Sequence, residues 1–198
     1  VHGLFDTLGG RARATARLDK FFHHADGSWA LTRAGPLHAE LDNEPSVATP
    51  WLYDYAGQPW KTQKAVRIVL DTIWKNTPDG IPGNDDLGEM SSWYVWAALG
   101  MYPEIPGRAE LLLGSPLFPH ALIHGSGGDV VIDAPGAASD RPYVQSLTLD
   151  GKSHDRPWLA PSLVEHGGCL PFVLGAQPNK AWASASHAAP PSFPPPRH

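Results

Sequence analysis

A single cysteine, Cys169, stands in 198 residues, so no disulfide can form within the chain. That count alone neither proves nor excludes an exported protein. No apolar run approaches the roughly 18 residues a membrane helix needs. Charged residues make up only 18%, the net charge is -5, and acids and bases are interspersed. A nucleic-acid footprint is therefore excluded, since that requires a concentrated basic face. The sequence has no Gly-x-Ser-x-Gly elbow, no phosphate-binding loop and no dinucleotide fingerprint. Its ten histidines include neither an HExxH pattern nor a paired-ligand spacing, so His23-His24 and His120/His124 read as surface or core residues. Gly125-Ser126-Gly127-Gly128 reads as a loop between strands, because no helix follows to make a phosphate cradle.

What is present is a hydrophobic fraction of 42%, enough for a sizeable core, and eight tryptophans. Tryptophan mostly fills cores. It also lines sugar clefts, where the C–H faces of a pyranose pack on aromatic rings. The chain opens on Val1-His2-Gly3-Leu4 with no signal-peptide pattern, which reads as a piece of a longer protein.

The first half has helical periodicity. Phe5 and Leu8, then Ala14, Leu18, Phe21 and Phe22, recur at three- and four-residue steps around a break at Gly9-Gly10. Residues 24–49 read mostly as loop. A short helix over Trp51–Ala56 should end at Gly57. A longer one should start at Pro59 and carry Val66, Val69, Leu70, Ile73 and Trp74 on one stripe. Ser91 to Met101 predicts a helix apolar nearly all round, and hence deeply buried. After about residue 104 the period changes to short runs (Leu111–Leu113, Ala121–His124, Val130–Asp133, Val144–Leu149, Leu170–Leu174), with a hairpin turn at Asp150-Gly151. This half predicts antiparallel β-structure. Residues 184–198, rich in proline, should be extended or disordered.

Three segments carry chemistry. Gly83-Asn84-Asp85-Asp86-Leu87-Gly88-Glu89 crowds carboxylates just before a helix. Carboxylates so placed serve general acid/base work on a sugar or grip a hard cation, or they cap the helix. Adjacent residues diverge, so only one of Asp85 and Asp86 should face a given cleft. Asp42-Asn43-Glu44-Pro45 lines up oxygen-bearing side chains that suit Ca²⁺, or form an exposed turn. Tyr53 to Gln63 is a cluster of aromatics and amides that, taken alone, is mostly packing.

Together these segments resemble glycoside hydrolase family 92, the calcium-dependent α-mannosidases. The resemblance rests on Asn43-Glu44-Pro45, on Pro50-Trp51-Leu52-Tyr53-Asp54-Tyr55-Ala56-Gly57-Gln58-Pro59-Trp60-Lys61-Thr62-Gln63, and on Pro82-Gly83-Asn84-Asp85-Asp86-Leu87-Gly88-Glu89-Met90-Ser91-Ser92-Trp93-Tyr94. Gly100-Met101-Tyr102-Pro103, Leu113-Gly114-Ser115-Pro116-Leu117-Phe118-Pro119 and Tyr143-Val144-Gln145-Ser146 extend it, in order, to about residue 183. It implies an α+β chain: residues 1–103 as helices belonging to an (α/α)₆ barrel, residues 104–183 as antiparallel β-structure, and 184–198 as a tail. The partner would be the missing N-terminal part of the same enzyme, and the substrate a mannose-containing glycan, with no nucleic acid and no membrane. The implied setting is secreted or periplasmic, and the implied reaction inverting exo-hydrolysis of terminal α-mannosides with Ca²⁺ as cofactor.

Site residues follow from the same resemblance. Asp86 is the first candidate for general base and Asp85 the second. Asn43 and Glu44 fall to Ca²⁺ or mannose, and Asn84, Asp42, Gln58 and Trp60 to substrate. Some members carry Asp where this chain has Asn84. Leu41 and Asp42 stand where α-1,2-selective members tend to carry His and Glu. The family's general acid, a Glu in a Tyr-x-Glu-Gly-Asn type motif, is missing from residues 1–198, and Glu40 lies in the wrong context to replace it. The chain alone is therefore expected to be inactive. Rival readings are a non-catalytic carbohydrate-binding fragment, another (α/α)₆ carbohydrate enzyme, or a structural fragment whose acidic loop only caps a helix.

Overall fold

The computed structural model describes residues 1–192. Seven α-helices occupy mostly the first half: α1 (His2–Thr7), α2 (Arg11–Phe22), α3 (Glu44–Val47), α4 (Leu52–Tyr55), α5 (Pro59–Thr72), α6 (Glu89–Ala98) and, among the strands, α7 (Ser162–His166). Eight strands follow: β1 (Met101–Tyr102), β2 (Leu111–Leu113), β3 (His120–Ile123), β4 (Val130–Asp133), β5 (Tyr143–Leu149), β6 (Lys152–Ser153), β7 (Trp158–Leu159) and β8 (Gly168–Gly175). The class is α+β.

The helical stripe read from the sequence is the one buried. Val66, Val69 and Leu70 of α5 pack with Phe22, Trp51, Tyr53, Met90 and Trp93 in one core. Pro59 opens α5 in its first turn, where a missing N–H costs nothing. Helix α6 departs from expectation. It runs Glu89–Ala98 and buries Met90, Trp93, Ala97 and Ala98, yet Val95 is 56% exposed. The reason is one-sided packing: α3, α5 and β1 lie against α6, and no described element covers Val95.

The strands form two sheets, β1-β2-β7 and β3-β4-β8-β5-β6. Most pairs are antiparallel, but β4 and β8 run parallel, Val130 opposite Gly168 through Asp133 opposite Pro171. The antiparallel expectation is thus corrected at one pair. The crossover between them contains β5, β6 and β7 and ends in α7, a connection long enough for parallel pairing. Asp150 and Gly151 both take positive φ, as a two-residue hairpin turn requires, and join β5 to β6.

Buried polar side chains fasten the two halves. Arg67, 2% exposed, donates to the Pro116 carbonyl at 2.9 Å and the Ala138 carbonyl at 3.4 Å. Gln63 Oε1 accepts the Val144 N–H at 3.1 Å. The Trp51 ring stacks on Tyr102, 5.2 Å between centroids. Of the tail, residues 184–192 are described. Ala188 is buried, its carbonyl accepts the Trp158 indole N–H, and Ser192 Oγ accepts the Val1 amine. The rest of that segment, 193–198, lies outside the described residues.

Candidate active site

The acidic loop and the Asp42–Glu44 segment lie against each other, and a glycine makes that possible. Gly83 has φ +60°, and a Cβ there would sit 2.0 Å from the Asp42 carbonyl oxygen. Any side chain would push the segments apart. Asn43 is the N-cap of α3, its side-chain oxygen accepting the Glu44 N–H at 3.2 Å. Helix α3 is pinned from behind, because the Trp93 indole donates to the Val47 carbonyl at 2.8 Å.

Within the loop the two aspartates diverge. Asp85 turns back onto α6: one oxygen accepts the Ser91 N–H at 2.9 Å and the Ser91 hydroxyl at 2.7 Å. This is a capping role, satisfying an N–H that the first helical turn leaves free. Asp86 takes no part in that cap, and its largest influence is Glu44. Its carboxyl is raised above the ordinary range, first by its hydrogen-bonding contact with Glu44, then by lost hydration and the charges of Glu44, Asp85 and Glu89. The backbone is bent to allow it: Asp86, Leu87 and Gly88 have φ of +45°, +60° and +93° in succession. Left-handed conformations at non-glycine residues cost about 1–3 kcal/mol each and cluster at functional sites.

Asp86, Glu89, Ser92, Trp96, Tyr102 and Pro106 line a cleft of about 470 Å³, a size ordinary for a small-ligand site. Asp86 and Glu89 line it, Glu44 and Asp85 act on Asp86 from close by, and among the described residues none of the four joins an ion pair. Like charges gathered without a basic neighbour need a proton, a cation or a ligand to offset them. The donor set is all hard oxygen, which suits Ca²⁺ and not zinc. Glu44, Asp86 and the Asn43 amide would fit the anionic side of such a site. They do not fill the six to eight positions Ca²⁺ takes, and among the described residues no group of three His, Cys, Asp or Glu converges on one point.

Behind the cleft lies a pair of acids that the sequence reading missed. Burial pushes the Glu104 carboxyl up to about 8, with the Val1 amine offsetting part. Its Oε2 has no hydrogen-bond partner among the described residues. Asp54, with no solvent exposure, is held well above the carboxylate range by burial, against a lesser opposing pull from Thr62 and with the Glu104 charge adding. The Thr62 hydroxyl is committed to the Pro50 carbonyl. Both acids are therefore held protonated well above the usual range. For Glu104 the available signal was a lone acid two residues after Tyr102, behind Pro103.

The other sequence candidates divide. Asp42 and Asn84 belong to the two segments joined at Gly83. Gln58 and Trp60, at the start of α5, do not line the acidic cleft. The Gln58 amide reaches Thr15 on α2, at 3.5 Å, and Trp60 lines a separate cleft with Asp19, Trp29 and Lys61. His124 and His120 make exposed contacts with Asp129 and Asp133.

Comparisons with known proteins agree on one family. The glycosyl hydrolase family 92 catalytic domain matches residues 1–176. An uncharacterized secreted glycosidase of Arthroderma benhamiae is 31% identical over 194 residues, which is 96% of this chain and 23% of that protein. The family GH92 alpha-mannosidase BT3965 of Bacteroides thetaiotaomicron superposes with a TM-score of 0.83 at 32% identity, over 93% of this chain and 24% of the other. It is also known in complex with mannoimidazole. The GH92 inverting mannosidase BT2199 of the same organism gives 0.82 at 33%, over 95% and 27%. The chain thus spans about a quarter of the length of these relatives.

Proposed function

The chain belongs to glycosyl hydrolase family 92, and from that premise we propose that it is the C-terminal part of the catalytic unit of an exported, inverting exo-α-mannosidase. Its helices would then be the last of an (α/α)₆ barrel. The observation that carries the reading is Asp86 on a strained loop, lining a cleft and raised by Glu44, with no ion pair to Asp86 among the described residues.

Asp86 is the general base. In its ionised form it takes a proton from a water as the water oxygen attacks the anomeric carbon, while an acid on the opposite face protonates the leaving oxygen. The two carboxyls should stand roughly 6.5–9.5 Å apart to admit that water. The acid is supplied from outside residues 1–198, so this segment alone should not turn over. Contact with Glu44 makes Asp86 more basic than an isolated carboxylate, which favours proton abstraction once it is ionised. Asp85, tied to Ser91, fixes the loop so that Asp86 keeps its direction. Glu44 and Asn43 are assigned to Ca²⁺ or to mannose hydroxyls, and Asp42 and Asn84 to substrate at the rim. Ca²⁺, when bound, would ligate mannose hydroxyls and favour the distorted ring. Gln58 and Trp60 are given no part in this cleft.

The test uses the complete enzyme with an α-mannoside, following the anomer released by proton NMR with and without EDTA. The expected result is β-mannose as first product, and loss of rate on chelation restored by Ca²⁺. Release of α-mannose would overturn the inverting assignment. Full activity in EDTA would remove the metal, and phosphate-dependent turnover would favour a different carbohydrate enzyme.

A further inference from the structure

A second cleft, of about 360 Å³, opens at the start of α5. Three half-buried rings, Trp29, Trp60 and Tyr143, reach it from three elements. Each is held by its surroundings. Trp29 pairs its backbone with His23 and packs on that imidazole at 4.3 Å. Trp60 stands in the first turn of α5 behind Pro59, and Tyr143 opens β5 opposite Gly175. Among the rings lies a fixed polar group: Lys61 Nζ donates to both Asp19 oxygens at 2.8 and 2.7 Å, and the Tyr53 hydroxyl donates to one of them at 2.9 Å. Lys64 lines the wall as well.

We propose that this cleft is a second, non-catalytic carbohydrate site that takes one pyranose of an α-mannose-containing glycan. Rings set in rigid positions offer flat apolar faces at low entropic cost. A carboxylate whose orientation is already fixed can accept a hydroxyl hydrogen bond with little further ordering. Asp19 and Lys61 offset each other, and Lys64 on the wall leaves an N–H donor for a sugar hydroxyl. The charged pair also argues against burial under another part of the polypeptide, because stripping water from both groups is costly. The exposed apolar face at Val95, Leu99 and Leu122 is the better surface for that purpose. The site is distinct from the acidic cleft, with which it shares no lining residue. A branched or polymeric glycan would be held at one point while an end is cleaved at the other.

The kind of sugar rests on the mannosidase reading; the site itself does not. The experiment titrates the complete enzyme with α-mannotriose by NMR saturation transfer and calorimetry, with the catalytic cleft saturated by mannoimidazole. The expected result is residual mannotriose binding in the wild type, weakened by about tenfold or more in Trp29→Ala and retained in Trp29→Phe. Trp29→Ala should leave turnover of an aryl α-mannoside within about twofold, which also reports folding. No binding with the catalytic cleft blocked, or unchanged binding in Trp29→Ala, overturns the proposal. Equal losses in Trp29→Ala and Trp29→Phe overturn it too, as does parallel loss of aryl-mannoside turnover. Failure of the mannosidase reading is separate: the wild type would turn over no α-mannoside, whatever the binding data.

Discussion

The acidic cleft and the aromatic cleft at Trp60 use carboxylates in opposite ways. In the aromatic cleft, Asp19 is matched by Lys61 and by the Tyr53 hydroxyl, so its charge is neutralised inside the fold. In the acidic cleft, Glu44, Asp85 and Glu89 all act on Asp86, and no basic side chain is paired to any of them among the described residues. Matched charges describe a surface complete in itself. Unmatched ones store repulsion that something else must relieve, and a proton taken from water, or a cation, relieves it. The acidic cleft is therefore where chemistry is expected, and the aromatic cleft is where a neutral ligand can be held without chemistry.

The largest test of that contrast is Asp86→Asn in the complete enzyme. Removing the base should lower kcat by about 10²–10⁴-fold, read by steady-state kinetics on an aryl α-mannoside, with thermal stability preserved. A change within a few-fold would reduce the loop to a helix cap and erase the difference between the clefts. Next comes Glu104→Gln. Its carboxyl, near 8 in the fold, binds its proton more tightly than in the unfolded chain. Its contribution to stability is thus complete at pH below about 4.5 and is lost as pH rises from there through about 8. The wild type should lose stability over that window, by on the order of a few kcal/mol from this group, with buried Asp54 acting in the same direction. Glu104→Gln should flatten the slope of Tm against pH; an unchanged slope would mean the group titrates normally. The smallest effect is Asp85→Ala, which removes the cap on Ser91. It should cost about 0.5–2 kcal/mol in denaturant unfolding and lower kcat far less than Asp86→Asn. Equal kinetic losses would make the pair a shared base.

Much of this was readable before folding. The α5 stripe, the Asp150-Gly151 turn and most strand positions depend on local periodicity and turn chemistry, which neighbouring residues express by themselves. The adjacency of Asp85 and Asp86 already implied that their side chains part. The parallel pairing of β4 with β8 was not readable, since strand direction depends on a crossover carried by residues 134–167. Nor was the exposed side of α6. Its composition reads as buried all round, but burial is decided by what packs there, and among the described residues nothing covers Val95. Gln58 and Trp60 sit in the same continuous motif as Tyr53 and Asp54. Yet Gln58 reaches Thr15 and Trp60 lines a cleft apart from the acidic loop.

By itself, then, the sequence determined the class of the chain, its family resemblance and the loop to which chemistry was assigned, because motif order and hydrophobic period are written in one dimension. Only the tertiary structure decided which acids are matched. It put Asp19 under Lys61, turned Asp85 onto Ser91, brought Glu44 to act on Asp86 across 42 positions of chain, sealed Asp54 from water and half-buried Glu104. A carboxylate's role is set by its nearest charges and its access to solvent, and both are properties of distance in space, not of separation along the chain.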